Sequence, residues 1–242
     1  MTVTGDADAL DTAALAAAIT AAQAKHDAAV EGDADGQYAV GSKAAFQAAI
    51  DAAVTVLNDP ASSQADIDQA VTDLAAAEAT FDAAEVNVDT AALAAAITAA
   101  QAKHDAAVEG DADGQYAVGS KAAFQAAIDA AVTVLNDPAS SQADIDQAVT
   151  DLAAAEATFD AAEVNVDTAA LAAAITAAQA KHDAAVEGPN TGEYAAGSKA
   201  TFQAAIDAAV TVLNDPLSSQ ADVDQAVTDL AAAEATFDAA QN

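Results

Sequence analysis

Residues 43–81, from Lys43 to Phe81, read KAAFQAAIDAAVTVLNDPASSQADIDQAVTDLAAAEATF, and the stretch recurs at 121–159 and, with three changes, at 199–237. Phe46, Ile50, Ala53 and Leu57 are spaced by four, three and four residues. Ile67, Val71, Leu74, Ala77 and Phe81 resume a three-and-four spacing after a break. Each arm therefore predicts a helix with one apolar stripe. The break is Asn58-Asp59-Pro60, where proline has no N–H for the preceding turn and disfavours helix in the residue before it. Ser63 offers an N-cap oxygen to the second arm, and Asp66 stands at the third helical position, an acidic variant of the capping box. A helical hairpin of this kind cannot bury both stripes alone, so a third wall is expected.

The stretch just upstream supplies it. Asp11 is expected as an N-cap, with Leu10 and Leu15 forming a hydrophobic staple around it, and Val88-Asp89-Leu93 and Val166-Asp167-Leu171 repeat the pattern. The helix that follows is expected to reach about Val30 and to present Leu15, Ile19, Ala22, His26 and Val30 on one face. Glu31–Gly41 is then a loop with glycines at 32, 36 and 41, and Ser42 is the expected cap of the second helix. Three helices of roughly 16 to 21 residues, at ~1.5 Å per residue, make an up-down-up bundle. Its expected core is Leu15, Ile19, Tyr38, Phe46, Ile50, Leu57, Ile67, Val71, Leu74 and Phe81.

Asp11-Thr12-Ala13 returns at Asp89 and Asp167, a period of 78 residues (89 − 11), and residues 11–88 and 89–166 are identical. The expected organisation is a leader over 1–10 and three-helix bundles over 11–88, 89–166 and 167–242. An odd number of antiparallel helices puts entry and exit at opposite ends, so the all-α fold is expected to be tandem bundles stacked end to end into an elongated rod. The junction Glu85-Val86-Asn87-Val88 contains neither glycine nor proline, and its valines are expected to dock in the seam between bundles. Two paths are open there: an unbroken helix, or a bend at Asn87 with Asp89 as cap, which is favoured.

Lys+Arg 6 against Asp+Glu 39 gives a net charge of −33, and every basic residue is lysine. Nucleic acid and anionic membrane surfaces are repelled by such a chain. A protein adapted to high salt has a similar composition. Cysteine is absent, which removes disulfides, thiolate metal sites and thiol nucleophiles. The start MTVTGDADAL has neither a basic nor an apolar signal region, and no apolar run approaches the ~18 residues of a membrane span. Export and anchoring signals, if the parent protein carries them, are expected outside this stretch.

Asp33-Ala34-Asp35-Gly36 and Asp111-Ala112-Asp113-Gly114 resemble the start of a calcium loop, but the twelfth position, where a bidentate glutamate is needed, is Ala44. The third copy has Pro189-Asn190-Thr191-Gly192 there, so folding does not require the aspartates. His26, His104 and His182 fall in the last turns of the first helices. A pH switch or metal ligand is weighed against a helix-terminal imidazole with a packed ring, and one histidine per bundle cannot assemble a multi-histidine site. Tyr38, Tyr116 and Tyr194 read as plugs anchoring the loop rather than as a ligand platform. Glu78 falls within the apolar stripe of the third helix, level with Lys25 and His26, and is expected to pair with one of them. The outer face around Gln69, Thr72, Ala76 and Ala79 offers a surface for lateral pairing. No triad spacing, phosphate loop or arginine clamp is present, so no catalytic, cofactor-binding or metal residue is assigned and no cofactor is expected.

Tyr38-Ala39-Val40-Gly41-Ser42, then Phe46, Ala49-Ile50 and Ala53, then Asn58-Asp59-Pro60, Ser63-Gln64 and Val71-Leu74, together resemble the FIVAR (found in various architectures) module of Gram-positive surface proteins. The resemblance covers all three copies. Ala39, Lys43 and Ser63 depart from the threonine, tryptophan and threonine usual at those places. The resemblance implies a three-helix bundle in an extracellular, often wall-anchored protein, and carries over no catalytic residue. The expected function is a structural spacer or stalk that projects a functional head from the cell wall. The alternatives are an adhesion module for host matrix protein or glycan, and an accessory array of a secreted polysaccharide-degrading enzyme. Expected partners are neighbouring copies and flanking domains of the same surface protein, with host matrix protein or glycan as the alternative; no nucleic acid and no membrane insertion are expected, and the chain itself is expected to be a monomer.

Overall fold

The computed structural model describes residues 10–242. The expected leader over 1–10 lies, but for Leu10, outside them. Nine helices are present among the described residues. They are α1 (Ala13–Ala28), α2 (Ser42–Asn58), α3 (Gln64–Asp82), α4 (Ala91–Ala106), α5 (Ser120–Asn136), α6 (Gln142–Asp160), α7 (Ala169–Ala184), α8 (Ser198–Asn214) and α9 (Gln220–Asp238). The only β pairing among the described residues is isolated bridges. Alanine-rich helices form here because local propensity and the apolar pattern agree. The Asp59-Pro60 break ends α2 at Asn58, as its missing N–H requires.

Cross-helix hydrogen bonds fix the directions. Gln23 in α1 reaches Gln47 near the start of α2 at 3.3 Å, so those helices are antiparallel. Lys25 reaches Asp82 at the end of α3, and Gln64 at its start accepts the N–H of Asp11, so α1 and α3 are parallel. The up-down-up arrangement follows. In the first copy the core is Leu15, Phe46, Ile50, Ile67, Leu74 and Phe81 with Ala22, Ala53 and Ala70, and Ile19, Tyr38, Leu57 and Val71 pack against it partly buried. The third copy repeats this set from Leu171 to Phe237, with Val223 for Ile67.

Several boundaries differ from expectation for identifiable reasons. α1 stops at Ala28, and Val30, expected on the core face, is 60% exposed. Its carbonyl is taken by the Tyr38 N–H at 2.8 Å, which draws Val30 out of the helix and into the loop. The expected cap Asp11 sits one residue before the helix-flanking Thr12, yet its carboxylate accepts the Ala13 N–H at 3.1 Å. Leu10 is 41% exposed, so the staple is loose in the first copy. The Ser63 capping box is present with both of its bonds, as is the Ser219 box.

Contacts along the chain divide it into two compact units. One comprises the residues up to Ile97 together with Ala130–Thr150; the other comprises Thr98–Asp129 with Asp151–Asn242. The first unit holds the junction between copies one and two, and the second holds the junction between copies two and three. At each junction the helix is interrupted: residues 83–90 and 161–168 are non-helical, which decides for the bend over the unbroken helix.

Candidate functional site

The loop after α1 gathers most of the polar chemistry of a copy. Tyr38 stacks on Phe81 with ring centroids 4.2 Å apart and planes within 3°, and Phe46 covers the other neighbour of Phe81 at 4.6 Å. Such stacks favour the offset overlap of large apolar rings and pin the loop to the core. Tyr38 is therefore the expected plug. Its backbone also bridges Glu31 on one side and Glu85 on the other, so three short segments lie side by side. The exit segment is held there by Val86, whose N–H meets the Gln37 carbonyl at 2.7 Å and whose carbonyl accepts from Gly36 at 2.9 Å. Gly36, at φ +72, supplies the left-handed turn this requires.

The cap of α2 is not the expected Ser42. Ser42 is the first residue of the helix itself, and its hydroxyl is buried without a hydrogen-bond partner among the described residues. Glu31 caps the helix instead: its Oε1 accepts the N–H groups of Gly41 at 2.9 Å and Lys43 at 2.8 Å. Lys43 answers by donating from Nζ to the Ala29 carbonyl at the end of α1, at 2.7 Å. An anion thus serves a helix N-terminus and a cation a C-terminus, each borrowed from the other side of the loop. Glu109 with Lys121 repeats the exchange, as does Glu187 with Lys199. The Lys199 and Gly197 N–H groups hold the Glu187 carboxyl below its usual range. No local signal marks Glu31, because its partners are ten and twelve residues away and only the loop path brings them together.

Glu78 pairs with Lys25, as expected from the parallel helices, and Asp82 takes the same ammonium at 2.8 Å. The pair is not within the apolar stripe: Glu78 is 38% exposed and lies at its edge, so the long side chains reach water. Hydrogen bonds that the ammonium donates to Asp82 and Glu78 push the Lys25 pKa up to about 12. His26 faces its neighbour Asp27 at 3.0 Å, and that hydrogen bond lowers the Asp27 carboxyl from its ordinary range. The three histidines sit in separate copies, each beside its own aspartate.

The Asp33-Ala34-Asp35-Gly36 segment makes contacts at the junction between copies. Ala34 is buried to 3% and bridges to Ser141, the N-cap of α6 in the next copy. Asp35 accepts the Val88 N–H at 3.0 Å, just before α4 begins. Ala112 meets Ser219, and Asp113 meets Val166 at 2.9 Å, in the same way. Asp89 and Gln142 then exchange backbone and amide bonds behind the clasp. Val86 and Val88 are half-buried; Val86 bonds within the loop of its own copy, and Val166, the counterpart of Val88, packs against the core of the copy that follows. No group of three or more histidine, aspartate or glutamate side chains among the described residues is placed to hold a metal ion. No helix there is long and apolar enough to cross a membrane.

Comparison with known proteins gives a family match: the FIVAR domain model matches residues 11–82, 89–160 and 167–238. No curated protein matches the chain significantly. A crystal structure of EbhA, residues 756–1003, from Staphylococcus aureus is similar at 19% identity, covering 93% of this chain and 78% of that one with a TM-score of 0.27.

Proposed function

The chain belongs to the FIVAR domain family, as three tandem copies, and from that premise we propose that it is the repeat region of a bacterial cell-surface protein, acting as a non-catalytic spacer that holds a functional head away from the wall. The observation that carries this is the junction. Consecutive copies are joined by eight non-helical residues that are not free linker, because Val86 is paired into the loop of its own copy and Val88 is held by Asp35. A seam closed by backbone and side-chain bonds transmits position from one copy to the next, whereas a flexible glycine-rich linker loses it. With three helices per copy, the first and last helices run parallel, so the chain leaves a copy at the end opposite to the one it enters. The proposed setting is extracellular, with the chain a monomer over 11–88, 89–166 and 167–242 and its partners the neighbouring copies and flanking domains.

Small-angle scattering tests the proposal. Three copies in line, each about one 19-residue helix long, give a length above ~85 Å and a radius of gyration of about 25 Å or more. A compact particle of this length has a radius near 18 Å. A value near the compact limit overturns the spacer; a matrix protein or glycan retained by the chain on a binding surface points to an adhesion module instead.

A further inference from the structure

In the first copy a groove of about 310 Å³ runs between α2 and α3. It lies on the side away from α1, since Gln47 and Asp82, which reach α1, stand on the other flanks of the two helices. Its floor is Ala53, Ala70 and Leu74, all buried, and small floor residues let another element approach closely. The two rims differ in kind. Ala52 stands on the α2 side and Asp66 and Asp73 on the α3 side, all exposed. The residues that line the groove recur unchanged within 127–152 and 205–230.

The two rim carboxylates accept from neutral donors, Asp66 from the Ser63 N–H at 2.8 Å and Asp73 from the Gln69 amide at 2.8 Å. The chain has no side-chain cation left to give them. All six of its basic residues are lysines, and each is engaged elsewhere. Lys25, Lys103 and Lys181 are each held by two acids, and Lys43, Lys121 and Lys199 each donate to a backbone carbonyl. A second copy of the chain therefore brings no uncommitted ammonium, and at a net charge of −33 it is repelled. The complement of the rim is a cationic partner of another kind. The walls decide its backbone: both are helices with their main-chain groups bonded internally, so an extended segment finds no edge to pair with, whereas a helix arrives with its own bonds made. Asp66 and Asp73 lie two helical turns apart on one flank, about 10 Å along α3.

We propose that this groove is a docking site for a basic amphipathic helix of another protein, seated as a fourth helix against α2 and α3. Its apolar stripe covers Ala53, Ala70 and Leu74, and lysines or arginines two turns apart on its flank meet Asp66 and Asp73. The groove belongs to the fold of a single copy, so binding there is independent of whether the array acts as a spacer. Recurrence of the lining residues in each copy lets individually weak contacts add along the chain.

Fluorescence anisotropy with the full chain and a labelled helical peptide of about 18 residues tests this. The probe carries an alanine–leucine stripe with two lysines two turns apart on one flank. One control replaces both lysines with glutamine, and another moves them to the face opposite the stripe at unchanged composition. Each control is expected to bind about fivefold more weakly or worse, the loss of two exposed ion pairs. In the chain, D73K/D151K/D229K reverses the rim in every copy and is expected to weaken the probe about tenfold. A52L/A130L/A208L narrows the groove from its exposed rim and is expected to act in the same direction. D51K/D129K/D207K makes the same change in net charge on the opposite flank, where Asp51 accepts from Gln47, and is expected to leave the affinity within about twofold. Circular dichroism checks that each variant keeps its helices, and the peptide controls need no variant at all. Equal weakening by the two charge reversals, or equal binding of the control with displaced lysines, means general attraction to a polyanion and overturns the site, as does absence of binding at millimolar probe.

Discussion

Exchanging the charges of Glu31 and Lys43 separates two accounts of the loop. If the pair were an ordinary salt bridge, E31K/K43E would restore it with reversed sign and recover most of the loss of either single change. The structure gives a different expectation, because each side chain bonds the end of a helix rather than the other side chain. Glu31 accepts two N–H groups at the start of α2, which has no acidic residue in its first turn and no side-chain cap bond of its own. Lys43 donates to the carbonyl of Ala29, the residue that caps the C-terminus of α1. Loss of such an N-terminal cap costs about 1 kcal/mol, and loss of the C-terminal cation about 0.3–1 kcal/mol. The swap removes both and then places a cation at the N-terminus and an anion at the C-terminus. Its cost is therefore at least the sum, about 2 kcal/mol in the copy that carries it. At 4–8 °C per kcal/mol for a domain of this size, that copy is expected to melt on the order of 10 °C or more below the others. Differential scanning calorimetry of the full chain, with E31A, K43A and E31K/K43E made in the first copy alone, reads this as a separate low-temperature transition. A double swap more stable than both single variants would refute the helix-end account and restore the salt bridge.

Other expectations follow from the same geometry. Phe81 lies between Tyr38 and Phe46 at 2% exposure, so F81A is expected to cost about 3–5 kcal/mol in its copy, measured by urea unfolding; a loss below 1 kcal/mol would mean that the stack does not anchor the loop. Lys25 has a folded pKa raised to about 12 from its ordinary 10.5, so its contribution is fully present below pH 10.5 and fades as pH rises through 12. K25M should remove that alkaline loss from the stability profile, and an unchanged alkaline limb would count against the Glu78–Asp82 clasp. Asp66 has its carboxyl lowered by the Ser63 hydroxyl and N–H, so its contribution is present above its unfolded value of 3.8 and is lost as pH falls through the lower folded value. D66N should flatten that part of the acid limb. Calorimetric titration with calcium is expected to show no site tighter than millimolar, since Asp35 is committed to the Val88 N–H; a micromolar site would overturn that assignment of the loop.

Much of a copy can be read directly from the chain because the information is local. The spacing of Phe46, Ile50 and Ala53, and of Ile67, Leu74 and Phe81, places all six on buried faces, since helical periodicity alone decides which residues share a side. Pro60 and the Ser63–Asp66 box mark a stop and a start through bonds made within a few residues. The Glu78–Lys25 pair is also legible, because three short-looped helices must be antiparallel in sequence order and parallel at first and third. The period of 78 and the identity of two copies fix the repeat outright.

What only the tertiary structure decided lies in the loop and the seam. Ser42 carries the residue type of an N-cap and is passed over, whereas Glu31, ten residues before Gly41, takes the role because the loop turns back on itself. Asp33-Ala34-Asp35 reads as the opening of a cation loop, yet one alanine fills a seat on the next copy and one aspartate holds a main-chain N–H across 53 residues. Val30 continues the helical stripe in sequence and leaves it in space, because a bond from Tyr38 outweighs one more turn. In each case the deciding partner is distant along the chain. Helical periodicity and capping are properties of neighbours, and the sequence by itself determines them; the choice among several chemically suitable groups for one backbone donor depends on which of them the folded chain delivers within hydrogen-bonding distance.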